Sequence, residues 1–202
     1  MKKATLALTL LLGAPLAAQS FELGLFAGQQ QYPSPHGDVL PGITAQASPD
    51  NKTVFAARFG YSVADLGPAL FQITAGYQPE SKSTVKLTLG GSPAGETELK
   101  QSHFSIGAMF NFKAVVAFGV GLEYRSEKLS MDVNSTTYGR PWARANAGFA
   151  IPSPVVKPFF GVEVAFPLTS KSSTLDNNTS VEDGLKAMAP KNQFGIYAGI
   201  RF

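Results

Sequence analysis

Eight stretches of this chain alternate apolar and polar residues with period two, each over about 10 to 12 residues. The first is SFELGLFAGQQQY, where Phe21, Leu23, Leu25 and Ala27 share one side. It is followed by TVFAARFGYSV, ALFQITAGYQ, SHFSIGAMFNF, KAVVAFGVGLEYR, RPWARANAGFAI and KPFFGVEVAFPL, and the eighth is NQFGIYAGIRF, residues 192–202. Strands of soluble proteins usually stop near 5 or 6 residues, whereas a tilted strand crossing a bilayer needs about 9 to 11. The pattern therefore predicts an all-β chain forming a monomeric, eight-stranded antiparallel up-and-down transmembrane β-barrel.

The connections sort by length in the same sense. Those at 64–68, 112–113 and 152–155 are short, and those at 31–52, 79–101, 126–139 and 168–191 are long and polar. Outer-membrane barrels have short periplasmic turns and longer extracellular loops, and an even strand number leaves both termini on the turn side. Residues 1–18 read as a signal peptide: Lys2 and Lys3, an apolar run from Ala4 to Leu12, then small residues up to Ala18. The barrel domain is then 19–202, and the expected location is the bacterial outer membrane, reached by export.

No other long apolar run exists, which excludes a helical membrane protein. The chain has 17 basic and 14 acidic side chains; with Lys2 and Lys3 set aside the two signs nearly balance, and no basic run suggests nucleic acid. There is no cysteine, so no disulfide contributes to stability.

One parity of the segments is aliphatic, with aromatics toward the ends: Phe55, Tyr77, Phe104, Tyr124, Phe166 and Phe194 at the loop side, and Tyr61, Phe71, Phe110, Phe112, Phe149 and Phe202 at the turn side. Two aromatic belts around an aliphatic middle fit two membrane interfaces. The other parity is small or polar and carries Glu22, Arg58, Glu123, Arg125, Arg144, Glu163 and Arg201. An eight-stranded barrel is just wide enough for side chains, so these charges must pair inside it. Two pairs are expected by height along the strands, Glu163 with Arg144 and Glu22 with Arg201. Arg58, Glu123 and Arg125 are candidates for the same lumenal network.

Together these features resemble the small outer-membrane β-barrels of the OmpA-transmembrane-domain and OmpX type. The terminal stripe of Phe194, Ile200 and Phe202 is similar to the signal that the outer-membrane assembly machinery reads in that family. The resemblance implies no cofactor and, as partners, outer-membrane lipid and lipopolysaccharide together with that machinery.

Catalysis has one candidate constellation, His103 and Ser105 on one strand with Glu123 on the next, as in a lipid A-modifying enzyme. Their lumenal parity favours an interior hydrogen-bonded histidine, and no catalytic residue is assigned. The stretch 176–187 starts like a calcium loop with Asp176, Asn178 and Ser180, but has Val181 and Ala187 where glycine and glutamate belong, so no metal site is expected. The sequons at Asn51, Asn134 and Asn178 mark surface loops. Within 79–101, STVKLTL-GGSPAG-ETELK reads as a hairpin rising above the membrane. Its Val85, Leu87 and Leu89 would form an exposed apolar face, either docking an extracellular protein or surface ligand by strand addition or packing on neighbouring loops. The expected role is structural or interactive, through the loops, with a plugged lumen. The alternatives are a narrow pore for small solutes and, behind it, lipid A modification.

Overall fold

The computed structural model describes residues 21–151, 156–172, 174–175 and 179–202. The signal peptide, the turn 152–155, and Asp176 and Asn178 lie outside the described residues. The strands are β1 (Phe21–Gln31), β2 (His36–Leu40), β3 (Ile43–Pro49), β4 (Lys52–Asp65), β5 (Ala69–Leu89), β6 (Ser92–Phe112), β7 (Ala117–Met131), β8 (Asn134–Ala150), β9 (Lys157–Pro167) and β10 (Asn192–Arg201), with one helix, α1 (Val181–Ala187). Eight of them close a ring in the order β1-β4-β5-β6-β7-β8-β9-β10, every neighbour antiparallel, with β10 returning to β1. The hairpin β2–β3 stands outside the ring and pairs through β3 with the upper part of β5.

Alternation places large apolar side chains on the outside. Leu25 is 69% exposed, Phe55 64% and Leu122 61%, and similar values run all round the ring. A continuous apolar belt of this size is stable only against hydrocarbon. On β6 it extends from Phe104 to Phe112, and at about 3.3 Å rise per residue and about 40° tilt it is about 20 Å tall. Toward the loop end the outward residues turn polar on several ring strands: Thr53, Ser102, Ser126 and Asn192.

The strands do not end with the belt. The hairpin expected within 79–101 forms, 126–139, expected as a loop, is mostly strand, and β5 and β6 each reach 21 residues. Above the belt the sides exchange chemistry. Val85, Leu99 and Leu129 point inward, are completely buried, and pack with Tyr32, Leu185, Met188 and Ala189. The polar lumen is thus covered at the loop end by an apolar core like that of a soluble protein. Helix α1 supplies Leu185 to it; Ser180 caps the helix by accepting from Asp183 N, and Lys186 bonds Glu182 at 2.5 Å. Seven residues are too few to hold a helix in water, so packing holds this one.

The expected hairpin forms, and of the two expectations for its apolar residues Val85 and Leu87 follow the second, packing on neighbouring elements. Gln78 pairs with His103 but Ser81 with Gln101, so Pro79 and Glu80 oppose Ser102 alone. This bulge inserts one residue and turns the following side chains over. Val85 goes inside, Leu87 packs against the cap core, and Leu89 is 47% exposed. The free side of β5 is taken by β3, from Ala45–Leu89 to Pro49–Val85, so no open edge remains there for strand addition.

Leu185→Ala should weaken cap docking by about 2–4 kcal/mol, the usual cost of emptying a buried leucine site. Limited proteolysis should then cut within 168–191 while the heat-modifiable gel shift of the barrel persists.

Candidate functional site

Five arginines and four glutamates point into the lumen and form a ladder along it. At the turn end Glu22 faces Arg201 across the β1–β10 seam, with Arg201 Nη2 2.6 Å from Glu22 Oε2. Higher up, Arg58 of β4 reaches across to Glu163 of β9 and donates to its Oε2. Arg144 Nη1 stands 3.1 Å from Glu123 Oε2, and Arg125 Nε donates to Glu123 Oε1 at 2.6 Å. At the top of the ladder Arg140 Nε donates to Glu127 Oε2 at 2.9 Å. Trp142 stacks beneath the last two cations, 3.9 Å from the Arg125 guanidinium and 5.0 Å from that of Arg140. Room for the ladder comes from glycine: a Cβ on Gly107 would stand 2.6 Å from the Cβ of Glu123.

Arg144 and Glu163 are 3.9 Å apart, outside hydrogen-bond reach. The β8–β9 register sets Glu163 opposite Asn146 and Arg144 opposite Ala165, one pleat higher. Glu163 takes its bond from Arg58 across the tube, and Arg144 turns to Glu123 on its other neighbour, β7.

Four buried glutamines, Gln30, Gln78, Gln101 and Gln193, form a layer between ladder and cap. Gln30 Nε2 and Gln78 Nε2 donate to Gln101 Oε1 at 2.9 and 2.6 Å, and Gln193 Nε2 donates to Gln78 Oε1 at 3.0 Å. Gln30 Nε2 also donates to the Tyr32 hydroxyl at 2.7 Å, and burial pushes the Tyr32 phenol up to about 12. The turn-end half of the ladder, Glu22, Arg58, Arg144, Glu163 and Arg201, borders a cavity of about 210 Å³.

The segment carrying α1 is fastened to the ladder at both ends by one side chain. Arg140 Nη2 donates to Pro190 O, and Nη1 donates to Thr169 O at 3.4 Å. Arg140 and Glu127 are buried almost completely, and with Trp142 and the four glutamines they went unnoticed in sequence. A signal existed: Glu127 and Leu129 continue the parity of Glu123 and Arg125 through what reads as a loop.

The structure does not join His103, Ser105 and Glu123. His103 Nδ1 lies 3.5 Å from Gln101 Nε2, both carboxylate oxygens of Glu123 are taken by arginines, and no hydrogen bond links the three among the described residues. Phe202 closes the seam, accepting from Phe21 N at 2.7 Å and donating to Phe21 O at 3.0 Å, and Ile200 and Phe194 face outward on the same strand.

Arg140→Ala would leave Glu127 as a buried, unpaired carboxylate and should cost about 3–5 kcal/mol. Replacing both by apolar residues should recover most of that loss in thermal unfolding in detergent. At the exposed rim, hydrogen bonds from Lys186 and Lys171 hold the Glu182 and Asp183 carboxyls below their ordinary range. Depressed native values stabilise the folded cap above the ordinary range, and that contribution is lost as pH falls through the lowered values. The protection of the α1 amides, relative to their intrinsic exchange rate, should therefore fall at acid pH, by an amount that salt diminishes.

No family model matches the sequence, and no curated protein matches it. Among solved structures, the outer membrane protein OprG from Pseudomonas aeruginosa aligns with a TM-score of 0.59 at 12% identity, covering 92% of this chain and 96% of that one. Neisserial surface protein A (NspA) aligns at 0.46 and 13% identity over 90% and 95% of the two chains. Ail, the attachment invasion locus protein of Yersinia pestis, solved with the heparin analogue sucrose octasulfate, aligns at 0.41 and 12% identity over 91% and 99%. The likeness to OprG shows the fold, an antiparallel eight-stranded barrel of the outer-membrane kind.

Proposed function

We propose that this chain is a bacterial outer-membrane β-barrel with a closed lumen, serving a structural or surface-interaction role through its loop end rather than catalysing a reaction. The observation that carries the reading is the filling of the tube: paired charges, then a glutamine layer, then an apolar core under α1. A permeation path would have to break buried ion pairs, which is costly in a narrow low-dielectric tube. The short turns then face the periplasm and the loop end faces outward. Phe202 and the stripe below Phe194 are what the assembly machinery would read, and outer-membrane lipid and lipopolysaccharide surround the belt.

A narrow conduit is the second reading, favoured by the cavity at the turn end and by one arginine bonding both ends of the cap segment. Planar-bilayer recording separates the two. The refolded protein should give no steady channels, while Arg140→Ala should raise the frequency of openings; steady wild-type conductance would overturn the closed reading. In cells the protein should stay in the outer-membrane fraction through a carbonate wash, and removing Phe202 should lower the folded yield without changing export.

A further inference from the structure

The cavity at the turn end is lined by more positive than negative charge. Arg58, Lys113, Arg144, Lys157 and Arg201 border it, against Glu22, Asp65 and Glu163. Each carboxylate already has its own cation: Arg201 on Glu22 at 2.6 Å, Lys113 on Asp65 at 2.5 Å, and Arg58 on Glu163. Arg144 takes Glu123, which Arg125 also holds, so Arg144 and Lys157 make up the surplus. Lys157 makes no ion pair among the described residues, and the β9–β10 register sets it directly opposite Arg201. Two cations facing each other across a strand pair repel. The fold keeps that repulsion at the mouth of a chamber whose wall is a barrel in hydrocarbon, where the field of uncompensated charge is concentrated.

We infer that this chamber is a binding site for a small multivalent oxyanion that enters from the turn side, with Lys157, Arg201 and Arg144 supplying the charge. The cavity volume of about 210 Å³ limits the ligand. Pockets for drug-sized molecules start near about 300 Å³, so phosphate or a short dicarboxylate fits and a nucleotide does not. Arg201 Nε and Nη2 are held by Glu22, and Arg144 by Glu123 and Thr74, so the guanidinium groups act on such an oxyanion through their charge while Lys157 supplies N–H donors on a mobile side chain. Asn111 and Asn146 also line the chamber, and their Oδ1 atoms turn toward Gly119, where a Cβ would come within 2.5 Å of Asn146 Oδ1, while Asn111 Nδ2 donates to Gln72 Oε1 at 2.6 Å. The inference is separate from the closed-lumen reading: current recordings test that one, and equilibrium binding tests this one whether or not the barrel conducts.

Equilibrium dialysis of the refolded protein in uncharged detergent with labelled inorganic phosphate, at about pH 8 where phosphate is a dianion, is the experiment. One saturable site is expected, weakened as ionic strength rises. Lys157→Gln should reduce the affinity about tenfold. Gly24→Leu should abolish binding by filling the chamber: a Cβ at Gly24 meets its nearest neighbour, Phe159, only at 3.5 Å, so the backbone can accept it. Gel heat-modifiability reports that each variant is folded. Absence of saturable binding up to about 10 mM, or binding indifferent to both substitutions in folded protein, would overturn the proposal.

Discussion

The structure depends on one row of hydrogen bonds, the pairing of β10 with β1 from Glu22–Arg201 to Gln31–Asn192. Inside a bilayer an unpaired backbone amide or carbonyl has no water to turn to, so a sheet can cross only if it has no edge. Closing the ring at this seam makes the other pairings tenable, and it fixes the diameter. With eight strands the interior admits side chains and little more. Every lumenal residue must then fit against those opposite, which is why Arg58 finds Glu163 across the tube and why Gly107 leaves space beside Glu123.

The same strands meet two environments along their length. Within the belt the outside is apolar and the inside is charged; above it the outside is polar and the inside apolar. The exchange happens within a few residues: on β7, Tyr124 and Arg125 belong to the first regime and Lys128 and Leu129 to the second. Above the membrane the hydrophobic effect again acts inward, and the loop end folds as a soluble core resting on a polar plug. Arg140 bonds to both parts, joining Glu127 in the ladder to the carbonyls at the two ends of the α1 segment.

Much of this was legible in the residues. The eight ring strands, their antiparallel order and the inward charges follow from period two and loop lengths, because a side chain's face is fixed by its position along a strand. What misled was continuity. Residues 126–139 lose their outward apolar residues and so read as a loop, although alternation continues through them. At Pro79–Glu80 a single extra residue moved Val85 from an expected outer face to the centre of the cap. A bulge leaves almost no trace in composition and changes every later side chain on its strand.

By itself the sequence determined that the chain is a barrel, how many strands cross the hydrocarbon, which residues face lipid and which charges lie inside. Those properties are local, set by alternation and by the length needed to cross an apolar layer. Only the tertiary structure decided which charges touch, that a helix from 168–191 covers the mouth, and that the turn end holds a chamber with surplus positive charge. These depend on register, shear and contacts across the lumen between residues far apart in the chain, as with Arg58 and Glu163, 105 positions from each other. Alternation says which face a residue takes, but its neighbour there is set by how the ring closes.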